Sequence, residues 1–293
     1  MKIYLVDGTY ELFRSYFALP PIPAPDGREV GAVRGIVQSL LYLLREDHVT
    51  HIACAFDHVV ESFRNDLYDG YKTGKDTAED LLSQFELAER AVASLGIRVW
   101  PMTEYEADDA LATAADYCSG LAEVEQVVIC SPDKDLAQMV RGDSVVCYDR
   151  RRGTIMNEAG VVEKFGVPPG SIPDLLALTG DAADGIPGIP KWGAKTSAQI
   201  LAHYRRIEDI PKDANNWEVE IRGSASAAES LNNHTSEARL YKKLTTLRTN
   251  VPLDASPPAL KWNGVNRASY EALCEEFGFG KLASLPEVWA EES

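Results

Sequence analysis

Three short apolar runs in the first half of the chain each lead into an aspartate. KIYLV (2–6) ends at Asp7, HIACAF (51–56) ends at Asp57, and EQVVIC (125–130) stops three residues before Asp133. Stretches with helical spacing lie between and after them: 31–47, where Ile36, Leu40, Leu41 and Leu44 share a face, then 78–95 and 106–118. IRVW (97–100) and SVVCY (144–148) read as two more strands. Strands that are continuously apolar and alternate with helices predict a parallel sheet covered on both faces, an α/β fold. Thr77 with Asp80 three positions on reads as a capping box opening the 78–95 helix. From about residue 158 the pattern turns helical, at 158–166, 171–179, 193–204, 236–247 and 267–278, with Pro168, Pro169 and Pro173 marking the change. Residues 213–235 are polar and poorly periodic and read as a loop or a weak helix, and the closing AEES as frayed.

Composition narrows the class. A chain of 293 residues, 45% hydrophobic and 25% charged, has material for a real core and the length of roughly two domains. Wholesale disorder is thereby excluded. No apolar run approaches the ~18 residues of a membrane span. The opening MKIYLVDGTYELFR carries Asp7 and Glu11 and offers no signal-peptide core. Cys54, Cys118, Cys130, Cys147 and Cys274 are scattered and form no C-x-x-C pair, so they read as buried thiols of a reducing, cytoplasmic compartment. No glycine-rich phosphate-binding loop follows a strand, so no nucleotide cofactor is expected.

The acids are more telling than the thiols. In open α/β sheets, sites form beyond the carboxyl ends of the strands, where Asp7, Asp57 and Asp133 fall. Any one of them could simply cap the next helix; three in one sheet favour a site. In EYEADDALATAA, Glu106 and Asp109 share a helix face and Asp108 adjoins them; Asp135 follows Asp133 in SPDKDL, and Asp181 and Asp184 are paired in GDAADGIPG. Two like charges ~4 Å apart repel by roughly 4 kcal/mol at an effective dielectric of ~20. Nine converging acids would therefore need cations, and oxygen-only donors suit Mg²⁺ or Mn²⁺. On residues alone this reads as a metal-dependent phosphoryl hydrolase.

Five segments in one order then carry a resemblance: VDGTYELFRSYFAL, AFD…SFRNDLYDGYK, EYEADDALA, SPDKDLAQ and LALTGDAADGIPGIPKWGAKTSAQIL. From about residue 2 to 206 the chain resembles the bacterial 5′–3′ exonuclease and flap endonuclease family, which includes the N-terminal nuclease domain of bacterial DNA polymerase I. The resemblance implies a PIN-like α/β core over 1–170 with parallel strands, helices on both faces and a helical arch over about 64–95. It also implies a helical DNA-binding region over 171–293, with a helix-three-turn-helix (helix-hairpin-helix) module at about 175–206. It implies a structure-selective nuclease acting on DNA by a two-metal-ion mechanism in replication or repair. The implied metal ligands are Asp7, Asp57, Glu106, Asp108, Asp109, Asp133, Asp135, Asp181 and Asp184. Lys72 and Arg64 are implied to be catalytic. Arg14, Tyr71, Lys75, Gly188, Lys191, Gly193 and Lys195 are implied to meet DNA, Tyr71 by stacking on a base, and K⁺ is implied at the hairpin. The substrate would carry a duplex and a 5′ single-stranded or flap end. Nothing resembling a polymerase follows, so a stand-alone, monomeric nuclease without a membrane or nucleotide partner is expected.

The chain also departs from the pattern. The arch segment reads TGKDTAEDLL, with Asp76, Glu79 and Asp80 beside only Lys75. Lys191 stands where relatives carry Gly, at a steric cost if that position needs φ > 0, and the neighbouring Trp192 is expected to pack the hairpin. The net charge of 29 − 45 = −16 speaks against nonspecific nucleic-acid binding, but the local field decides. Residues 185–207 hold no acid and four cations, Lys191, Lys195, Arg205 and Arg206, and residues 238–253 hold Arg239, Lys242, Lys243 and Arg248. Competing readings are a PIN-type ribonuclease, which lacks the hairpin module, a noncatalytic DNA-junction binder, and a small-molecule phosphatase, which needs no basic hairpin.

Overall fold

A computed structural model describes residues 1–46 and 48–291. Asp47, which closes the 31–47 stretch, and Glu292 and Ser293 of the tail lie outside the described residues. The chain forms two compact units. The first is Met1–Val60, Gly74–Ser131 and the segment from Thr249 onward; the second is Glu61–Thr73 with Pro132–Arg248.

The first unit opens with β1 (Lys2–Asp7), α1 (Gly8–Ala18), α2 (Gly31–Glu46), β2 (Ile52–Asp57), α3 (Glu79–Leu82), α4 (Phe85–Ser94), β3 (Arg98–Met102), α5 (Ala107–Ser119) and β4 (Gln126–Cys130). These four strands are parallel in the order β3-β2-β1-β4, with Tyr4 opposite Ile52, Ile3 opposite Val127 and Ala53 opposite Arg98. Ile3, Leu5, Val6, Ala53, Cys54, Val127 and Ile129 are fully buried, as strands covered on both faces require. α5 packs on β1, β2 and β4, while α2 packs on α1 and α4.

Two local differences from the sequence pattern have tertiary causes. The single helix expected over 78–95 is two helices, broken at Ser83–Gln84. Gln84 is fully buried, and its Oε1 accepts from the Ala32 and Val33 amides at 3.0 and 3.3 Å, satisfying the open first turn of α2. The capping box expected at Thr77 does not form either. Ala78 is the N-cap, and Asp80 instead accepts the Tyr16 hydroxyl at 2.8 Å. Before α4, the span expected as an arch over 64–95 contains a 3₁₀ turn at Gly74–Asp76 and the four residues of α3.

The second unit holds an antiparallel pair, β5 (Val145–Asp149) and β6 (Thr154–Met156). Five helices follow: α6 (Glu158–Phe165), α7 (Ile172–Thr179), α8 (Ala194–Tyr204), α9 (Ser224–Asn233) and α10 (Thr235–Thr245). α9 lies inside the stretch read as loop or weak helix. α7 packs on α10 and α8. Asp174 on α7 is buried, accepts the Ile207 amide at 2.8 Å and pairs with Lys242 of α10 at 2.8 Å. Lys242 also pairs with Glu208 at 2.7 Å, so one cation of the acid-free 238–253 stretch is committed to tying helices together.

From Thr249 the chain belongs to the first unit again, with α11 (Pro257–Leu260) and α12 (Arg267–Phe277). The Val251 amide donates to Thr113 Oγ1 at 3.1 Å, and the Trp262 indole donates to the Leu95 carbonyl at 2.8 Å. All five cysteines are buried. Among the described residues no helix is long and apolar enough to cross a membrane.

Candidate metal centre

In the first unit each strand-end acid is held by donors of the fold itself. Asp7, at the end of β1, caps α1: its Oδ1 accepts the Tyr10 amide at 2.8 Å, and its Oδ2 accepts the Ser131 hydroxyl at 2.8 Å. This is why a helix begins at Gly8, outside the helical stretches read from the sequence. Asp57, at the end of β2, accepts the Ala107 amide at 2.6 Å and so steadies the start of α5. Glu106 is the N-cap of α5. Its amide donates to Asp109 at 3.1 Å, one arm of a capping box, with Asp109 fully buried and Asp108 half-buried on the same turn.

The acids of the second unit are arranged differently. Asp181 and Ile186 exchange two backbone bonds of 2.7 and 2.8 Å, closing a tight turn that carries both Asp181 and Asp184. Gly185 within it has φ +73°, and a Cβ there would sit 2.1 Å from the Gly70 carbonyl oxygen, so only glycine allows the 61–73 segment to close on the turn. The Lys72 amide then donates to the Asp184 carbonyl at 3.1 Å. Carboxylate oxygens of Asp135, Asp181 and Asp184 all lie within 4.8 Å of one another. Asp133 is exposed and accepts the Asp135 amide at 2.8 Å.

This cluster is electrostatically expensive. Burial, then the charges of Asp133, Asp184 and Asp181, push the Asp135 carboxyl well above the usual carboxylate range, with Lys134 pulling the other way. Asp135 Oδ1 is buried with no hydrogen-bond partner. Two lysines bracket the group: Lys134 Nζ lies 2.6 Å from Asp181 and Lys72 Nζ 2.9 Å from Asp184. Burial lowers the Lys134 pKa, but the hydrogen bond to Asp181 and the charges of Asp181, Asp135 and Asp133 outweigh it and hold the ammonium above its ordinary value. An orphaned buried oxygen among oxygen-only donors fits a hard divalent cation, and a native fold leaves few such atoms unsatisfied without a purpose.

The remaining expected site residues divide into three groups. Lys72 is partly exposed, its Nζ 5.6 Å from the Tyr71 ring centroid and paired with Asp184. Lys75, Lys191, Gly193 and Lys195 are exposed. Lys191 has φ +74°, so the non-glycine residue does occupy a left-handed position. Gly193 is the N-cap of α8, with no side-chain cap on the amides that follow it. Gly188 has φ +75°, and a Cβ there would meet the Gly180 amide at 2.4 Å, so its part in the hairpin is first of all steric. Trp192 packs as expected, 3% exposed, its indole donating to the Ala227 carbonyl at 3.0 Å.

Arg64 and Tyr71 are both buried. Arg64 is 1% exposed, and its Nε donates to the Leu244 carbonyl at 2.8 Å, so its guanidinium ties the 61–73 segment to the end of α10. Tyr71 is 4% exposed. Arg14 pairs with Glu11 and donates to Ser39 Oγ at 2.9 Å, with its side chain 29% exposed. Lys134 was missed: between Asp133 and Asp135 it reads as ordinary charge alternation, and only the turn carrying Asp181 gives it a partner.

The oxygen-only cluster of Asp135, Asp181 and Asp184 is a donor set suited to the hard divalent cations of metal-dependent phosphodiester hydrolysis. The chain belongs to the 5′–3′ exonuclease family: residues 2–166 match its N-terminal resolvase-like domain and residues 167–268 its C-terminal SAM fold. A 5′-3′ exonuclease of Aquifex aeolicus is 33% identical over 260 residues, covering 88% of this chain and 86% of that protein. A DNA polymerase I of Rhizobium leguminosarum is 38% identical over 267 residues, covering 88% of this chain; the match spans only 26% of the polymerase. Among solved structures, a bacteriophage T5 flap endonuclease in complex with DNA and metal ions shares the fold, with TM-score 0.67 at 18% identity and 97% of each chain covered.

Proposed function

We propose that the protein is a structure-selective 5′ nuclease, exonucleolytic, flap-cleaving or both, that hydrolyses DNA phosphodiester bonds with two divalent cations, Mg²⁺ or Mn²⁺. The observation that carries this reading is the cluster of Asp135, Asp181 and Asp184 with its orphaned buried oxygen. These three with Asp133 would hold one cation; Asp7, Asp57, Glu106, Asp108 and Asp109 would serve a second. Cations held this way supply an activated water and stabilise both oxygens of an in-line displacement. The chain's own contribution is orientation and charge. Lys72 places an ammonium for the scissile phosphate, and Arg64 and Tyr71 hold the segment that carries it. Gly193 and its following amides, Lys191 and Lys195 take up duplex phosphates without reading bases, Gly188 shapes the hairpin whose carbonyls would take K⁺, and Arg14 and Lys75 are further phosphate contacts. The protein would act as a cytoplasmic monomer in replication or repair, on duplex DNA with a 5′ single-stranded or flap end.

The test is to incubate the protein with labelled 5′-flap, nicked-duplex and single-stranded DNA, and with the matching RNA, in Mg²⁺ or EDTA, and to size the products. Mg²⁺-dependent cutting at the 5′ side of the flapped or nicked DNA is expected. Preference for single-stranded RNA would replace this reading with a ribonuclease, and tight flap binding with no products would make the protein a junction binder.

A further inference from the structure

Lys134 has no role in the reading above, yet its ammonium is 2.6 Å from Asp181 Oδ2, an oxygen of the cluster offered to a cation. The lysine side chain is 37% exposed while Asp181 is 4% exposed, so the cation reaches inward from solvent along a flexible stem. The other Asp181 oxygen accepts the Ala183 amide at 3.1 Å, which fixes the carboxylate and leaves Oδ2 as the oxygen that changes partner. Lys72 is likewise paired with another acid of the cluster, Asp184, at 2.9 Å. One acid, Asp135, has an oxygen with neither lysine nor amide on it.

We propose that Lys134 is a resident counter-cation that competes with the divalent ion for Asp181 and is drawn off by a substrate phosphate. Metal and DNA then bind cooperatively: phosphate takes the ammonium, the freed carboxylate takes the ion, and each makes the other bind more tightly. The proposal rests on the cluster being a divalent-cation site. It assigns Lys134 a positioning and gating part, since it acts through Asp181 and never has to touch the reacting atoms.

The experiment is a Mn²⁺ titration of the DNA-free protein followed by electron paramagnetic resonance, with thermal melting alongside, for the wild type and for Lys134→Met, Lys134→Arg and Lys164→Met. Lys164 is an exposed cation of α6 outside the site. Lys134→Met should bind Mn²⁺ on the order of tenfold more tightly. Its melting temperature should rise more on Mn²⁺ addition than that of the wild type. Lys134→Arg should restore the weaker wild-type affinity, and Lys164→Met should leave it unchanged. Adding a short duplex should tighten Mn²⁺ binding by the wild type and much less by Lys134→Met. If Lys134→Met binds Mn²⁺ no more tightly than the wild type, or if Lys164→Met shifts affinity as much, Lys134 is not the gate although the cluster still binds metal. If no variant binds Mn²⁺, the metal site itself is wrong and both readings fall.

Discussion

The two sets of carboxylates contrast in how they are satisfied. In the first unit, Asp7, Asp57 and Asp109 each accept a backbone amide, and Asp7 a serine hydroxyl as well. They cap or steady α1 and α5, so donors of the fold already meet their oxygens. In the second unit, Asp135 keeps a buried oxygen without a donor, and Asp181 and Asp184 are met by lysine ammonium groups. There the fold tolerates repulsion that a cation would relieve. Acids that look alike in the sequence thus do opposite things for stability, and the difference marks where a metal would gain most by binding.

Among the lysines that meet these acids, Lys72 offers the largest effect on catalysis. Lys72→Ala should lower the single-turnover cleavage rate by about a hundredfold, the scale of losing one preorganised charge contact, with a much smaller loss of affinity. If affinity falls while the saturated rate holds, Lys72 is only a phosphate anchor, and the second unit's lysines serve docking rather than chemistry.

Melting temperatures in EDTA sharpen the comparison directly. Asp7→Ala removes an N-cap and should cost about 1 kcal/mol, which lowers Tm by roughly 2–4 °C in a protein of this size. Asp135→Asn should raise Tm. Burial and its acidic neighbours lift the Asp135 pKa in the folded protein, so the ionised form at neutral pH opposes folding, and a neutral amide removes that opposition. Shifts of the same sign in both variants would erase the distinction between the two sets.

The smallest effect belongs to the hairpin. Lys195→Ala should weaken binding to every duplex sequence alike and flatten the slope of log K against log salt by about 1. Single-stranded binding should hardly change. A salt titration of flap and single-stranded oligonucleotides in Ca²⁺ reads both. An unchanged slope would take the hairpin off the binding surface and leave the charge of −16 as a standing objection.

The acid positions were legible in sequence because strand ends in a parallel sheet are legible: KIYLV and HIACAF are apolar runs that stop at Asp7 and Asp57. Their duty as caps was less so. α1 lies outside the helical stretches read from the sequence, its start set by the Asp7 side chain, and α9 was read only as a loop or weak helix since SASAAESLNN is small and polar with little periodicity. The break at Ser83–Gln84 could not be read locally, because the Gln84 amide serves α2, fifty residues away in sequence. Burial was the other hidden variable. Arg64 and Tyr71 sit in a motif that implies contact with DNA, and nothing in SFRNDLYDGYK shows that both side chains face inward. Lys191 went the other way: the resemblance places Gly at this position in relatives, with a steric cost to Lys191 if φ > 0 were needed, and Lys191 does adopt φ +74°.

The most direct test of the account is cleavage of a 5′-labelled flap duplex in Mg²⁺ by the wild type and by Asp181→Ala, with duplex affinity measured alongside in Ca²⁺. The account predicts that Asp181→Ala loses cleavage by about a thousandfold while duplex affinity stays close to that of the wild type. Full activity of Asp181→Ala in Mg²⁺ would contradict it.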